Sequence, residues 1–77
     1  MNSINVAKPV ETIVSDIRCN LAIVKEYRED SEPIYIYDLC RTHPDGGMET
    51  IQANVYSYVH EAPFVLTAEE LKKVKGF

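Results

Sequence analysis

Residues 34–60 read IYIYDLCRTHPDGGMETIQANVYSYVH, and the division of this stretch decides the fold. Two runs rich in β-branched and tyrosine residues flank HPDGG, a dense turn signal whose glycines accept positive φ. The stretch therefore predicts a β-hairpin. With Gly46 and Gly47 as a two-residue loop, Asp45 faces Met48, Tyr37 faces Tyr56 and Tyr35 faces Tyr58; a register shifted by two pairs Tyr35 with Tyr56 instead. Side chains alternate along a strand, so either register puts all four rings on one face. The other face then carries Ile34, Ile36, Cys40, Ile51, Ala53, Val55 and Val59, an apolar core surface interrupted by Asp38 and Ser57.

Working outward, LTAEELKKVKGF at the C-terminus has a helix-start signature. Thr67 is placed to cap, Glu70 three positions on reaches back to the cap amide, and Leu66 and Leu71 stand at staple spacing. A helix from Ala68 to Lys75 is predicted, with Leu71 and Val74 on its apolar stripe, Lys72, Lys73 and Lys75 complementing its C-terminal dipole, and Gly76 as the stop. Upstream, Pro9 to Asp30 fits both a helical stripe (Val10, Ile13, Val14, Ile17, Leu21, Val24) and an alternating strand (Ile17, Cys19, Leu21, Ile23). Its β-branched content favours a strand from Ile17 to Arg28, followed by a loop of Glu29, Asp30, Ser31, Glu32 and Pro33. Residues 1–16 stay open among a loose arm, a short helical turn after Pro9 and an added strand through Ile4 and Val6. The expected class is α+β: one domain, residues 1–77, with an antiparallel meander of three or four strands and one C-terminal helix packed on the aliphatic face.

The chain has 77 residues, twelve acidic and eight basic, for a net charge of −4. Binding a phosphate backbone depends on Lys and Arg displacing counterions, so an acidic chain has no long-range pull on nucleic acid or anionic lipid. No stretch is long and apolar enough to span a bilayer, and MNSINVAKPVETIV lacks a basic region followed by a long apolar core. Two cysteines are too few for a disulfide framework. A cytoplasmic home is the expectation, against a secreted chain with one Cys19–Cys40 bridge.

Motifs for chemistry are sparse. Cys19, Cys40, His43 and His60 could in composition supply zinc ligands, but only Cys40 and His43 have close-pair spacing, and the cysteines suit core positions. Cys40 and His43 fall an odd number of positions apart, which opposes a nucleophile–base dyad. None of Ser3, Ser15, Ser31 and Ser57 lies in a nucleophile elbow. The glycines of PDGG lead into a strand rather than a helix, so they form no phosphate loop. Asp38 would have a raised pKa if buried on its apolar strand face; an edge position or a water-satisfied carboxylate is the plainer reading. No catalytic residue, metal or cofactor is expected.

What remains is the tyrosine face: Tyr35, Tyr37, Tyr56 and Tyr58, with Arg18, Arg41 and Asn54 around it. Tyrosine and arginine are enriched where proteins meet, because a ring buries much area at small entropy cost. The sequence thus points to a non-enzymatic module that docks on a protein partner, or on a second copy as a homodimer, through this face or an edge strand. The plainer reading is a face covered by the chain itself. A single-stranded nucleic-acid platform would need a basic groove, which the charge opposes. A small Cys/His metal protein is the other alternative. Small acidic chains of this kind resemble in general character the inhibitors that phages and mobile elements direct at host enzymes, whose acidic groups can occupy a nucleic-acid groove. The acidic loop, Glu26, Glu29, Asp30 and Glu32, suits that role and equally an ordinary solvated turn.

Overall fold

Four strands precede the single helix: β1 (Val6–Val14), β2 (Ile17–Arg28), β3 (Ile34–Thr42), β4 (Met48–Tyr58), a short 3-10 turn (Val59–Glu61) and α1 (Ala68–Lys75). The computed structural model describes residues 5–29 and 31–75. Ile4, Asp30 and Gly76, which entered the sequence reading, lie outside them. The strands form one antiparallel sheet in the order β1-β2-β3-β4, a meander in which every strand pairs with its chain neighbour. Within residues 1–16 a strand forms at Val6–Val14, running through Pro9 where a helical turn was the alternative and extending past the short stretch expected through Ile4 and Val6.

The β1–β2 turn explains why that strand was hard to read. Val14 pairs with Ile17, and the two residues between, Ser15 and Asp16, both have positive φ, 50° and 66°. This is the two-residue hairpin geometry normally announced by Asn-Gly or Asp-Gly. Here it is made by residues that tolerate it less well. Pro9 within β1 is admissible because β1 is an edge strand, and the ladder slips between Pro9 and Thr12.

The central hairpin closes differently from the two-residue expectation. The His43 N–H donates to the Gly47 carbonyl at 2.8 Å and the Gly46 N–H to the His43 carbonyl at 3.0 Å, leaving Pro44, Asp45 and Gly46 as a three-residue loop. Gly46 takes φ 92°, the left-handed residue that such loops require, and Asp45 Oδ1 accepts from the Gly47 N–H at 2.8 Å. An odd loop shifts the register by one. Two irregularities in β4, between Thr50 and Gln52 and between Gln52 and Val55, each shift it again and cancel in parity. As a result Ile36 faces Tyr56 and Ile34 faces Tyr58, while Tyr35 faces Ser57 and Tyr37 faces Val55. The expected four-ring patch does not form: each tyrosine pair occupies its own face.

The helix also covers the other face from the one expected. Tyr35, Tyr37, Leu39, Ala22, Val24 and Val6 form the core with Phe64, Leu66 and Val74. The aliphatic face bearing Ile34 and Ile36 is left without a covering element among the described residues. Buried tyrosines are acceptable because their hydroxyls have partners: Tyr37 Oη and Ser57 Oγ are 2.7 Å apart, and Tyr35 shares a hydrogen bond with the Leu66 backbone. Phe64 stacks on Tyr35 at 5.2 Å between centroids and meets Tyr37 edge-on at 5.0 Å. Burial pushes the Tyr35 phenol up, against the Leu66 hydrogen bond.

The helix start follows the predicted chemistry. The Thr67 N–H donates to Glu70 Oε1 at 2.9 Å, and the Glu70 N–H to Thr67 Oγ1 at 3.1 Å. Such a cap contributes about 1 kcal/mol. Glu70 also receives Lys8 Nζ at 3.1 Å from β1, so one carboxylate joins the cap to the sheet. The Thr67 backbone amide, then Lys8, hold that carboxyl below its usual range. Among the described residues, no helix is long and apolar enough to cross a membrane.

Candidate functional site

Of the exposed large hydrophobic side chains among the described residues, Met48, Tyr56 and Tyr58 lie on β4, whereas Ile13 of β1 and Val65 before α1 are exposed elsewhere. Tyr56 is 59% exposed and Tyr58 43%, whereas Tyr35 is 2% and Tyr37 3% exposed. Alternation sets Tyr56 and Tyr58 on the same side of β4, roughly 7 Å apart along the strand. Across the sheet, their rows run Glu26–Ile36–Tyr56 and Arg28–Ile34–Tyr58. The Arg28 guanidinium reaches across β3 to within 5.9 Å of the Tyr56 ring centroid. Ile36, paired with Glu26 and Tyr56, is buried although among the described residues no helix covers this face. Tyr58 stacks on His60 with ring centroids 5.7 Å apart and planes 10° from parallel. Between the two tyrosines lies a recess of about 290 Å³, lined by Ile34, Tyr56, Ser57, Tyr58 and Glu61.

The middle of the open face is polar and internally satisfied. Asp38 Oδ1 accepts from the Asn54 N–H at 2.9 Å and lies 2.9 Å from Lys25 Nζ; Lys25 also donates to Asn54 Oδ1. Lys25 falls at the register irregularity of β2, and Asn54, at φ 55°, in that of β4. Asp38 thus ties together two strands that each carry an extra residue. Partial desolvation would raise its carboxyl, but the Asn54 amide and Lys25 outweigh it and hold the group below its ordinary value. That carboxylate is a structural anion held by protein partners on an inner strand, rather than at an edge or by water, and its pKa is lowered where burial alone would raise it.

The sequence-derived site residues separate. Tyr35 and Tyr37 are interior. Arg18 is exposed and pairs with Glu11 of β1 at 3.1 Å; Arg41 is exposed opposite Glu49 near the β3–β4 turn. Both stand away from the Tyr56–Tyr58 rows. Asn54 belongs to the Asp38 lattice. In the acidic loop, Glu26 pairs with Arg28, and Glu29 and Glu32 are exposed. Ile34, Ser57, Arg28 and Glu61 are not among the sequence-derived site residues: the strand register brings Ile34 and Arg28 to the tyrosines, Ser57 lies between them in the chain, and the turn after β4 places Glu61. Cys19 and Cys40 are buried free thiols, and desolvation followed by the proximity of Cys40 raises Cys19. His43 Nε2 lies 3.2 Å from Glu49 Oε1. Among the described residues, no three His, Cys, Asp or Glu side chains form a metal-holding group.

Comparison with protein-family models, curated proteins and solved structures found no match in any of the three.

The two sheet edges differ in kind. Native sheets blunt an edge with proline, charge or bulges. β1 has Pro9, Lys8, Glu11 and a register slip. β4 is longer, 11 residues against 9, lacks proline and carries a single charged residue, Glu49. Its register irregularities lie before Val55. Val55 to Tyr58 is therefore a regular, uncharged edge beside the recess.

Proposed function

We propose that this protein is a non-enzymatic protein-binding module that receives an extended segment of its partner along β4, with Tyr56 and Tyr58 as anchors. The observation that carries the proposal is the pair of half-exposed tyrosines on the regular, uncharged Val55–Tyr58 stretch of an edge strand. Strand addition draws affinity from main-chain hydrogen bonds and specificity from pockets for alternate side chains; β4 and its recess supply one of each. Aromatic anchors at the centre of a contact carry much of the energy of protein recognition. An inhibitor of a partner enzyme is one form that such a module takes.

The test compares wild type with the Tyr56→Ser/Tyr58→Ser double variant at matched folded fraction. Partners captured from the native host are purified and titrated against both. The expected result is a partner whose binding protects β4 amides from exchange and weakens at least tenfold in the double variant. Equal binding by both proteins removes β4 as the docking edge.

A further inference from the structure

Resting on that reading, we infer that the recess between Tyr56 and Tyr58 takes a lysine or arginine side chain of the docked segment. Its lining divides into what such a side chain needs. Ile34 offers an apolar surface for the methylene stem, the two tyrosine side chains wall the recess on either side, and Glu61 offers a carboxylate for the charged head. At about 290 Å³ the recess lies at the lower limit of small-ligand sites, room for one long side chain rather than a cofactor.

The chain already demonstrates the chemistry on one of these rings. Arg28 places its own guanidinium over Tyr56 at 5.9 Å, so the ring is presented where a cation can use it. Tyr58 has one face engaged by His60, which fixes the ring's attitude. Among the described residues Glu61 has no ion-pair partner.

Charge complementarity selects a basic segment over a second copy of this chain. The Val59 N–H donates to the Pro33 carbonyl at 3.0 Å, which brings the β2–β3 connection against the residues that end in Glu61. That end of the sheet gathers Glu26, Glu29, Glu32 and Glu61; the permanent cations near them among the described residues are Arg28, paired with Glu26, and Lys25, paired with Asp38. The whole chain carries −4. Two copies meeting along β4 would bring like-charged molecules together, whereas a basic strand meets an opposite field.

The probe is a blocked peptide, acetyl-Thr-Val-Thr-Lys-Thr-Val-Thr-amide, with counterparts carrying norleucine or glutamate at the centre. Each is titrated into the full chain at two salt concentrations and followed by backbone amide shifts, after sedimentation has fixed the oligomeric state. The lysine peptide is expected to shift residues 55–61 and to bind about tenfold tighter than the norleucine peptide at low salt. Glu61→Gln should erase most of that advantage while leaving norleucine binding unchanged. Equal binding of lysine and norleucine peptides overturns the cation site and leaves strand docking standing. A dimer with β4 amides already protected gives the recess to a second copy, which also overturns it. A monomer that binds none of the peptides at millimolar concentration overturns both readings.

Discussion

Tyr35 and Tyr37 differ from Tyr56 and Tyr58 in almost nothing that sequence records: both pairs are Tyr-x-Tyr on strands that pair with each other. One pair is sealed under Phe64, and the other is half in solvent. The difference comes from one residue of loop length. Because side chains alternate with period two, the odd Pro44–Gly46 loop rotates one strand's pattern against the other's. Identical motifs thereby acquire opposite roles, one as core and one as surface. A residue's job here is set by pairing parity rather than by its type.

The widest separation between the pairs should appear in stability. Phe64→Ala removes the ring that seals the interior tyrosines and is expected to cost about 3–5 kcal/mol. A domain of this size has only about 4–12 kcal/mol in total, so calorimetry should find that variant largely unfolded or melting far below wild type. Tyr56→Ala should leave the melting transition nearly in place. Comparable losses from both would erase the distinction.

The Asp38 lattice holds the register that separates the pairs, and its removal comes next in size. Asp38→Ala should destabilise by about 1–3 kcal/mol in denaturant titration. A carboxyl depressed in the folded state contributes fully above its unfolded value near 4 and loses that contribution as pH falls through the folded value. Wild type should therefore lose stability on acidification below about pH 4. Asp38→Asn, which retains an acceptor for the Asn54 amide, should show a shallower acid slope; Glu70, also depressed, supplies part of the remainder. An unchanged slope would mean that Asp38 is not ion-paired in solution.

Finer still is the hydroxyl test. Tyr37→Phe forfeits the contact with Ser57 and should cost about 1 kcal/mol. Tyr56→Phe should change stability by less than about 0.5 kcal/mol, as exposed substitutions do. Matching values would show that the Tyr37–Ser57 hydrogen bond adds nothing to the sealed face.

Much of the fold was legible. Thr67 and Glu70 marked the helix start, β-branched content marked Ile17 to Arg28, and HPDGG marked the hairpin. These signals are local, so neighbouring residues suffice to reveal them. β1 was obscured because its turn uses Ser15 and Asp16 at positive φ without a glycine, and because Pro9 discourages a strand reading. Which face the helix covers was illegible for a different reason. HPDGG admits both an even and an odd loop, and the choice inverts the face assignment. The site inherits that ambiguity. Tyr56 and Tyr58 stand at the surface, but Arg18 and Arg41 were grouped with them by a parity the loop does not adopt. Glu61 joins them only through the turn of Val59–Glu61 after β4, to which no local motif points.

The bond between Lys8 and Glu70 spans 62 positions and brings the helix cap back onto the first strand. In a meander most contacts form between chain neighbours, so closing so long a loop is a late and entropically costly event. Once closed, it makes fraying at one terminus a shared event with fraying at the other. Amide exchange in α1 and β1 should then report a common opening, while β4 opens separately. The tie between the two ends of the chain thus lies at one edge of the sheet, and the proposed docking strand is the edge opposite to it.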